Sequence, residues 1–292
     1  MERIPDAKAD IVSLVPDAPL SRRGFVVTSL ATGFAAAAGP VMAETMIKTD
    51  TAGLDAREVK IPAAGGDMPA YAAAPAQGGP FPIVLVVHEA FGVHEHIKDV
   101  ARRLAKQGYL AVAPDLFARF GDATKYTMAE VQKLVSDIVS KVTPAQMMAD
   151  LDAALSWAEK NQGDAARVAI TGFCFGGSVV WLYAAHQPRL KAAVAWYGGL
   201  MRQGWPRQPM DAAREAKMPV LGLYGGKDQG IPMDQVDMLR DELKKAGSKS
   251  VIHVYPDAGH AFNADYRPTY READANDGWK RMMDWFKANG VS

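Results

Sequence analysis

The sequence predicts a single α/β domain in which a mostly parallel sheet is flanked by helices on both faces. From residue 57 onward, short apolar runs typical of strands buried on both faces alternate with segments of helical periodicity. The composition agrees, since 49% hydrophobic and 23% charged residues suit one soluble domain with a large core. Ligands bind at the carboxyl ends of the strands in such sheets, so we expect the chemistry directly after strands.

The elements follow from pattern and turn chemistry. An opening hairpin is predicted, with strands over 58–61 and 68–72 around Gly65 and Gly66. A strand buried on both faces is predicted at 82–87, and further strands are predicted at 109–113, 168–171, 192–196, 220–224 and 251–255. Helical spacing predicts helices over 97–105 and over 131–142. A third helix is predicted to begin at the capping box formed by Thr143, Pro144 and Gln146. A final helix is predicted at the end of the chain, where one face carries Trp279, Met282, Met283 and Phe286.

The first 43 residues are predicted to lie outside the domain. The paired arginines Arg22 and Arg23 precede an uncharged stretch from Gly24 that ends in small residues at Ala43. This order predicts a twin-arginine export signal, cleaved after Ala43. The alternatives are a plain flexible tail and an uncleaved membrane anchor, although the stretch is rich in Ala and Gly and too polar for a good anchor. Residues 44–56 are then a linker and residues 57–292 the domain; in a bacterium the mature protein would be periplasmic or secreted, after passage through the twin-arginine export machinery.

Charge and cysteine content restrict the function classes. Lys and Arg together number 33, as do Asp and Glu, so nothing favours nucleic acid or an acidic membrane surface as a partner. A single cysteine excludes an intrachain disulfide. We expect a monomer that acts on a small molecule without a cofactor.

That cysteine stands in the most informative stretch, Gly172-Phe-Cys-Phe-Gly176. The pattern G-x-nucleophile-x-G between a strand and a helix is the elbow of α/β-hydrolases, here with Cys174 in place of serine. The positive field of a helix N-terminus favours the thiolate, and the N–H of Phe175 would form half of an oxyanion hole. The alternative is an inert buried cysteine.

The partners of Cys174 are predicted in the loops after two later strands. Asp228 follows the strand over 220–224, and His260 follows the strand over 251–255. The chain order of nucleophile, acid and histidine is that of α/β-hydrolases; His260 would move the proton, and Asp228 would fix its tautomer. Asp257 and Asp234 are rival acids, whereas His253 lies within a strand.

The stretch His88-Glu-Ala-Phe-Gly-Val-His-Glu-His96 follows another buried strand. Ala90 is predicted to supply the second oxyanion N–H, and Glu89 to lie close to Cys174. A metal site is the alternative, but position 92 is glycine, so the zinc-protease pattern H-E-x-x-H fails. We expect no metal, and we expect His94 and His96 to be exposed at the start of a helix.

These motifs resemble those of the dienelactone hydrolase family, the carboxymethylenebutenolidases. The resemblance rests on five stretches: Glu89-Ala-Phe-Gly92, Ala113-Pro-Asp-Leu-Phe117, Gly172-Phe-Cys-Phe-Gly-Gly177, Tyr224-Gly-Gly-Lys-Asp228 and Gly259-His-Ala-Phe262. It implies a Cys-His-Asp hydrolase that forms a thioester acyl-enzyme, with Glu89 as the glutamate that interacts with the thiol.

The chain departs from the family in its arginines. The family places an arginine shortly after the catalytic histidine to hold the substrate carboxylate, and here Asn263-Ala-Asp-Tyr266 stands there. Arg267 is the nearest candidate, and Arg119 is a distant one for a second arginine. Trp196 and Tyr197 would line the pocket or pack in the core.

The sequence therefore predicts a hydrolase that opens a lactone or cleaves a small carboxylic ester. A non-catalytic periplasmic binding protein of the same fold is the alternative. A thiol redox protein is disfavoured because the chain lacks a resolving cysteine.

Overall fold

The computed structural model describes residues 46–202 and 204–292, and the predicted export signal lies outside them. Eight strands form one sheet in the order β1-β2-β4-β3-β5-β6-β7-β8. The strands are β1 Leu54–Ala63, β2 Gly66–Pro75, β3 Phe81–Val87, β4 Leu110–Pro114, β5 Gly163–Phe173, β6 Ala192–Trp196, β7 Val220–Gly225 and β8 Val251–Tyr255. Strands β3 to β8 run parallel, which confirms the predicted α/β-hydrolase sheet.

The predicted hairpin forms the antiparallel edge of the sheet. Strand β1 pairs with β2, and β2 pairs with β4 in antiparallel register. Gly65 and Gly66 connect the two strands with φ angles of 91° and 127°, which favour glycine. Strand β1 already begins at Leu54, so the pairing includes part of the segment predicted as a linker.

Seven α-helices are described. They are α1 Glu95–Lys106, α2 Val131–Asp137, α3 Pro144–Lys160, α4 Phe175–His186, α5 Pro209–Glu215, α6 Met233–Lys245 and α7 Glu272–Ala288. Helices α3 to α6 pack one on the next, and α1 contacts α7 where Arg103 lies over the Trp279 ring at 5.6 Å. None of the described helices combines the length and the apolar character that crossing a bilayer requires.

Two helix boundaries differ from the sequence pattern. The helix predicted over 131–142 ends at Asp137, because Ile138 leaves the helical conformation with φ at −127°, and a 3₁₀ turn follows. The apolar side chains on both sides of this break are buried. At α3, Thr143 accepts a hydrogen bond from the Gln146 N–H as predicted, but no hydrogen bond from the Thr143 N–H to the Gln146 side chain is found among the described residues, so the return half of the capping box is missing.

The carboxyl ends of the central strands carry the predicted site. Glu89 follows β3, Cys174 follows β5, Tyr197 follows β6, Asp228 follows β7 and His260 follows β8. Because β3 and β5 to β8 are neighbours in the sheet, their loops meet at one edge, as expected for a parallel sheet.

Candidate active site

Cys174 occupies the strained turn between β5 and α4. Its φ and ψ are 54° and −113°, a conformation that a non-glycine residue adopts only when its surroundings impose it. A Cβ on Gly176 would lie 2.2 Å from the Val87 carbonyl oxygen, and one on Gly177 would lie 2.5 Å from that of Trp196. The elbow therefore packs directly on the ends of β3 and β6, and only glycine permits that approach.

His260 and Asp228 form the pair that the sequence predicted. Nδ1 of His260 lies 2.7 Å from Oδ2 of Asp228, and the other Asp228 oxygen accepts the N–H groups of Gly230 and Ile231 at 2.9 and 3.2 Å. These bonds fix the carboxylate. The other imidazole nitrogen, Nε2, is buried and makes no hydrogen bond to the described residues, which leaves it available for proton exchange.

Charge stabilises the protonated form of His260. Burial alone would lower its pKa, but the charge of Asp228 and then that of Cys174 outweigh burial and raise the pKa to about 10. The ring is therefore cationic at neutral pH, the state that pairs with a thiolate.

The rival residues lie elsewhere. Asp257 pairs with Lys227 at 2.7 Å on the surface, and Asp234 is exposed in the first turn of α6. His253 lies within β8, 3.9 Å from Asp277. Asp228 is thus the carboxylate that contacts His260.

The two predicted oxyanion donors lie where the elbow meets β3. Phe175 opens α4, so its N–H has no partner within the helix. Ala90 lies in the turn after β3, and no hydrogen bond joins its N–H to another residue of the described chain. The contact of Gly176 with the carbonyls of Val87 and His88 brings these two segments together.

Glu89 is fully buried but is held by other groups than expected. Its Oε2 accepts a short hydrogen bond from the Tyr266 hydroxyl and lies 3.5 Å from Arg267 Nη2 and 3.6 Å from His94 Nε2. Burial would raise its pKa, but the charge of Arg267 and the contact with His94 lower it, so the carboxylate stays ionised. No hydrogen bond joins Glu89 to Cys174 within the described residues, and Oε1 has no partner there.

Arg267 is turned toward this carboxylate. Its Nε donates to the Tyr266 hydroxyl at 3.0 Å, and its guanidinium lies 5.5 Å from the ring centre of Phe91. The charge of Cys174 acts on Arg267 as well as on His260. Tyr266 was missed in the sequence, where its position next to Arg267 is the only signal.

The prediction that His94 and His96 are exposed is wrong, because they are 6% and 2% exposed. Nδ1 of His96 lies 2.9 Å from Asp265 Oδ1, and the other Asp265 oxygen accepts from Arg103 at 2.7 Å. The loop after His260 therefore covers the start of α1. Burial lowers the pKa of His94 to about 4, so this ring is neutral.

The aromatic pair after β6 divides between core and site. Trp196 packs in the core: its ring would lie 2.5 Å from a Cβ on Gly278, and its indole N–H donates to Thr171 Oγ1 at 3.2 Å. Tyr197 presents an edge-on ring contact to His260 at 5.2 Å, and its buried hydroxyl has no hydrogen-bond partner in the described chain.

Arg119 serves the scaffold. It donates to Asp150 at 2.8 Å and to the Ala64 carbonyl at 3.1 Å, so it ties α3 to the hairpin. Its candidacy for a substrate-binding role receives no support from these contacts.

Comparison with known proteins gives one consistent result. Residues 68–290 match the dienelactone hydrolase family. A relative from Methylorubrum extorquens, provisionally named a carboxymethylenebutenolidase, is 56% identical over 97% of this chain and 98% of its own. One of the same name from Escherichia coli K12 is 52% identical over 91% of this chain and 98% of its own. A crystal structure from Klebsiella pneumoniae, provisionally named a dienelactone hydrolase, superposes with a TM-score of 0.77 at 53% identity and covers 80% of this chain and 98% of that one.

Proposed function

Since the chain belongs to the dienelactone hydrolase family and is a carboxymethylenebutenolidase-like hydrolase, we propose that it opens a lactone or cleaves a small carboxylic ester through a thioester on Cys174. The observation that carries the proposal is the His260–Asp228 pair at 2.7 Å, whose free Nε2 and raised pKa match a neighbouring thiolate on the elbow. A binding protein without catalysis is not favoured by this family assignment.

The reaction proceeds in two halves. The Cys174 thiolate attacks the carbonyl carbon, and the N–H groups of Phe175 and Ala90 hold the resulting oxyanion. The carbon–oxygen bond of the ester then breaks, and protonated His260 gives its proton to the leaving oxygen. In the second half, His260 takes a proton from water, the hydroxide attacks the thioester, and the carboxylic acid leaves as the thiolate is restored. Asp228 keeps the proton of Nδ1 in place throughout.

We propose that the substrate contacts side chains that border the reacting groups but take no part in the bond changes. Tyr197 touches the His260 ring, and Arg267 is buried beside Glu89. We propose that both side chains contact the bound substrate. Glu89 accepts the hydrogen bond of the Tyr266 hydroxyl and pairs with Arg267, and we propose that it influences the thiol through its charge.

Export is a separate proposal that rests on the sequence. The paired arginines and the Ala43 site support passage through the twin-arginine machinery and a periplasmic or secreted location. Cell fractionation of the full chain beside an Arg22→Lys, Arg23→Lys variant tests it, and export of both proteins alike would contradict it.

The function is tested by turnover. Mature protein starting at Glu44 and its Cys174→Ala variant are assayed with dienelactone, simple lactones and a short chromogenic ester. We expect hydrolysis that depends on Cys174, together with a mass increase of one acyl group on Cys174 in quenched samples. Turnover by the alanine variant at the wild-type rate would refute the mechanism. If folded wild-type protein hydrolysed none of these compounds, the binding-protein alternative would be favoured.

A further inference from the structure

His88 is a fully buried side chain between the two halves of the oxyanion site. Its Nδ1 lies 2.7 Å from the carbonyl oxygen of Glu89, and its Nε2 accepts the Leu116 N–H at 3.1 Å. Because a backbone N–H can only donate, Nε2 carries no proton and the proton of the neutral ring lies on Nδ1. Nδ1–H therefore donates to the Glu89 carbonyl.

Burial keeps the ring in its neutral form. It lowers the pKa of His88, against the charge of Asp115, whose Oδ1 lies 3.8 Å from Nε2. Because both ring nitrogens make hydrogen bonds, only one orientation of the neutral ring allows both bonds. The bond from the Leu116 N–H fixes that orientation relative to the segment after β4.

The acceptor of this hydrogen bond belongs to the peptide that carries the Ala90 N–H. The Glu89 carbonyl and the Ala90 N–H share one planar trans peptide and point in opposite directions. The Gly92 N–H donates to the same carbonyl at 3.3 Å, so the oxygen is held by two donors. Holding the oxygen sets the direction of the N–H, and hydrogen bonding at the oxygen polarises the amide and strengthens its donor.

The same ring contacts the second oxyanion residue. Its centre lies 6.2 Å from that of Phe175, with the planes 13° apart, and Phe117 closes the other side with an edge contact at 4.6 Å. One buried imidazole thus adjoins both residues whose N–H groups form the proposed oxyanion site.

We propose that His88 is a positioning residue for the oxyanion hole: its Nδ1–H holds the Glu89–Ala90 peptide so that the Ala90 N–H points at the reacting carbonyl oxygen. The inference rests on the proposed function, because it assigns a task within the Cys174 reaction. The proposed role of His88 differs from that of Glu89, which contributes a charge to the site, and from that of His260, which transfers a proton.

Two substitutions separate the hydrogen bonds of the ring. In His88→Asn the amide N–H group reaches the position of Nδ1, so the bond to the Glu89 carbonyl is kept. In His88→Gln the amide reaches the position of Nε2, so the acceptor for Leu116 is kept and the bond to Glu89 is lost. Phe117→Leu is the matched control, because it removes the ring contact and leaves both hydrogen bonds.

The readout is the carbonyl stretch of the acyl-enzyme, measured by infrared difference spectroscopy with a ¹³C-labelled ester, beside kcat and KM. We expect His88→Gln to shift the stretch to higher frequency and to lower kcat about 10- to 100-fold with little change in KM, since loss of a whole oxyanion donor costs roughly 10²- to 10³-fold. His88→Asn should stay within a few-fold of wild type, and Phe117→Leu should lower only the melting temperature.

Equal losses in the Asn and Gln variants, with an unshifted stretch, would reduce His88 to a packing residue. Nitrogen NMR of the wild-type histidines is independent of any variant, and a proton on Nε2 of His88 would overturn the inference at once. If the wild-type protein forms no acyl-enzyme, the proposed function fails and this inference fails with it. An acyl band that no His88 variant moves refutes the inference alone.

Discussion

Two buried carboxylates lie at this site, and they are held in opposite ways. Asp228 is fixed by the backbone of its own turn, through the N–H groups of Gly230 and Ile231, and spends its other oxygen on one histidine. Glu89 has no such turn; its partners Tyr266 and Arg267 come from the loop after β8, 177 residues further along the chain in the case of Tyr266.

This difference indicates two roles: Asp228 orients a catalytic group, and Glu89 balances a buried charge. Asp228 directs an imidazole and leaves one nitrogen free, the arrangement of a proton-transfer pair. Glu89 balances the charge of a buried arginine and retains one oxygen without a partner in the described residues. We therefore expect Asp228 to govern the rate of the reaction and Glu89 to govern the stability of the loop that covers the site.

The largest expected effect breaks the Asp228 side. Asp228→Asn keeps the shape but favours the wrong tautomer of His260, and we expect kcat to fall about 10³- to 10⁴-fold, as for triad aspartates in general. Steady-state kinetics on any ester that the wild type hydrolyses measure it. Asp257→Asn is the control, since Asp257 pairs with Lys227 on the surface. A similar fall in both variants, or none in either, would contradict the assignment.

The next effect breaks the Glu89 side. Glu89→Gln keeps the hydrogen bond from Tyr266 but leaves Arg267 buried without its countercharge, and breaking a buried pair in this way costs on the order of 3 kcal/mol. Urea unfolding of the mature protein measures the loss. Glu58→Gln, which breaks the exposed pair with Lys98, should cost less than about 1 kcal/mol. Equal losses would mean that the loop does not depend on Glu89.

The same contrast explains what the sequence could predict. Cys174, Asp228 and His260 each follow a strand that is visible as an apolar run, and the sheet brings the ends of those strands together. Hydrophobic periodicity and turn glycines therefore predicted both the fold and the residues that meet at the sheet edge. The choice of Asp228 over Asp257 and Asp234 needed the geometry of the turns.

Contacts made by the loop after His260 could not be predicted. This loop places Tyr266 on Glu89 and Asp265 on His96, and its path has no periodicity to read. Nothing in the local sequence around His94 and His96 indicates burial, so their burial appears only once the loop is in place. The hydrogen bonds of His88 likewise depend on Leu116, a residue of another loop.

The smallest effect sharpens the comparison through pH. His94, with a pKa lowered to about 4, stays neutral in the folded state, whereas the unfolded chain protonates it below its ordinary pKa of 6.5. Stability should therefore fall as pH drops from about 6.5 to about 4. His260, with its pKa raised to about 10, contributes stability below pH 6.5 that is lost as pH rises toward 10.

One group that exchanges one proton changes the free energy of unfolding by at most about 1.4 kcal/mol per pH unit. Urea unfolding from pH 4.5 to pH 10 measures both limbs of the pH dependence. The acid limb is the loss of stability as pH falls, and the alkaline limb is the loss as pH rises. His94→Gln should flatten the acid limb without abolishing it, because burial also lowers the pKa of His88, and should leave the alkaline limb in place. Cys174→Ala should leave the acid limb in place and move the alkaline limb to lower pH, because the charge of Cys174 contributes to the raised pKa of His260. If both variants changed the same limb, the groups around Glu89 and those around Asp228 would titrate together rather than independently.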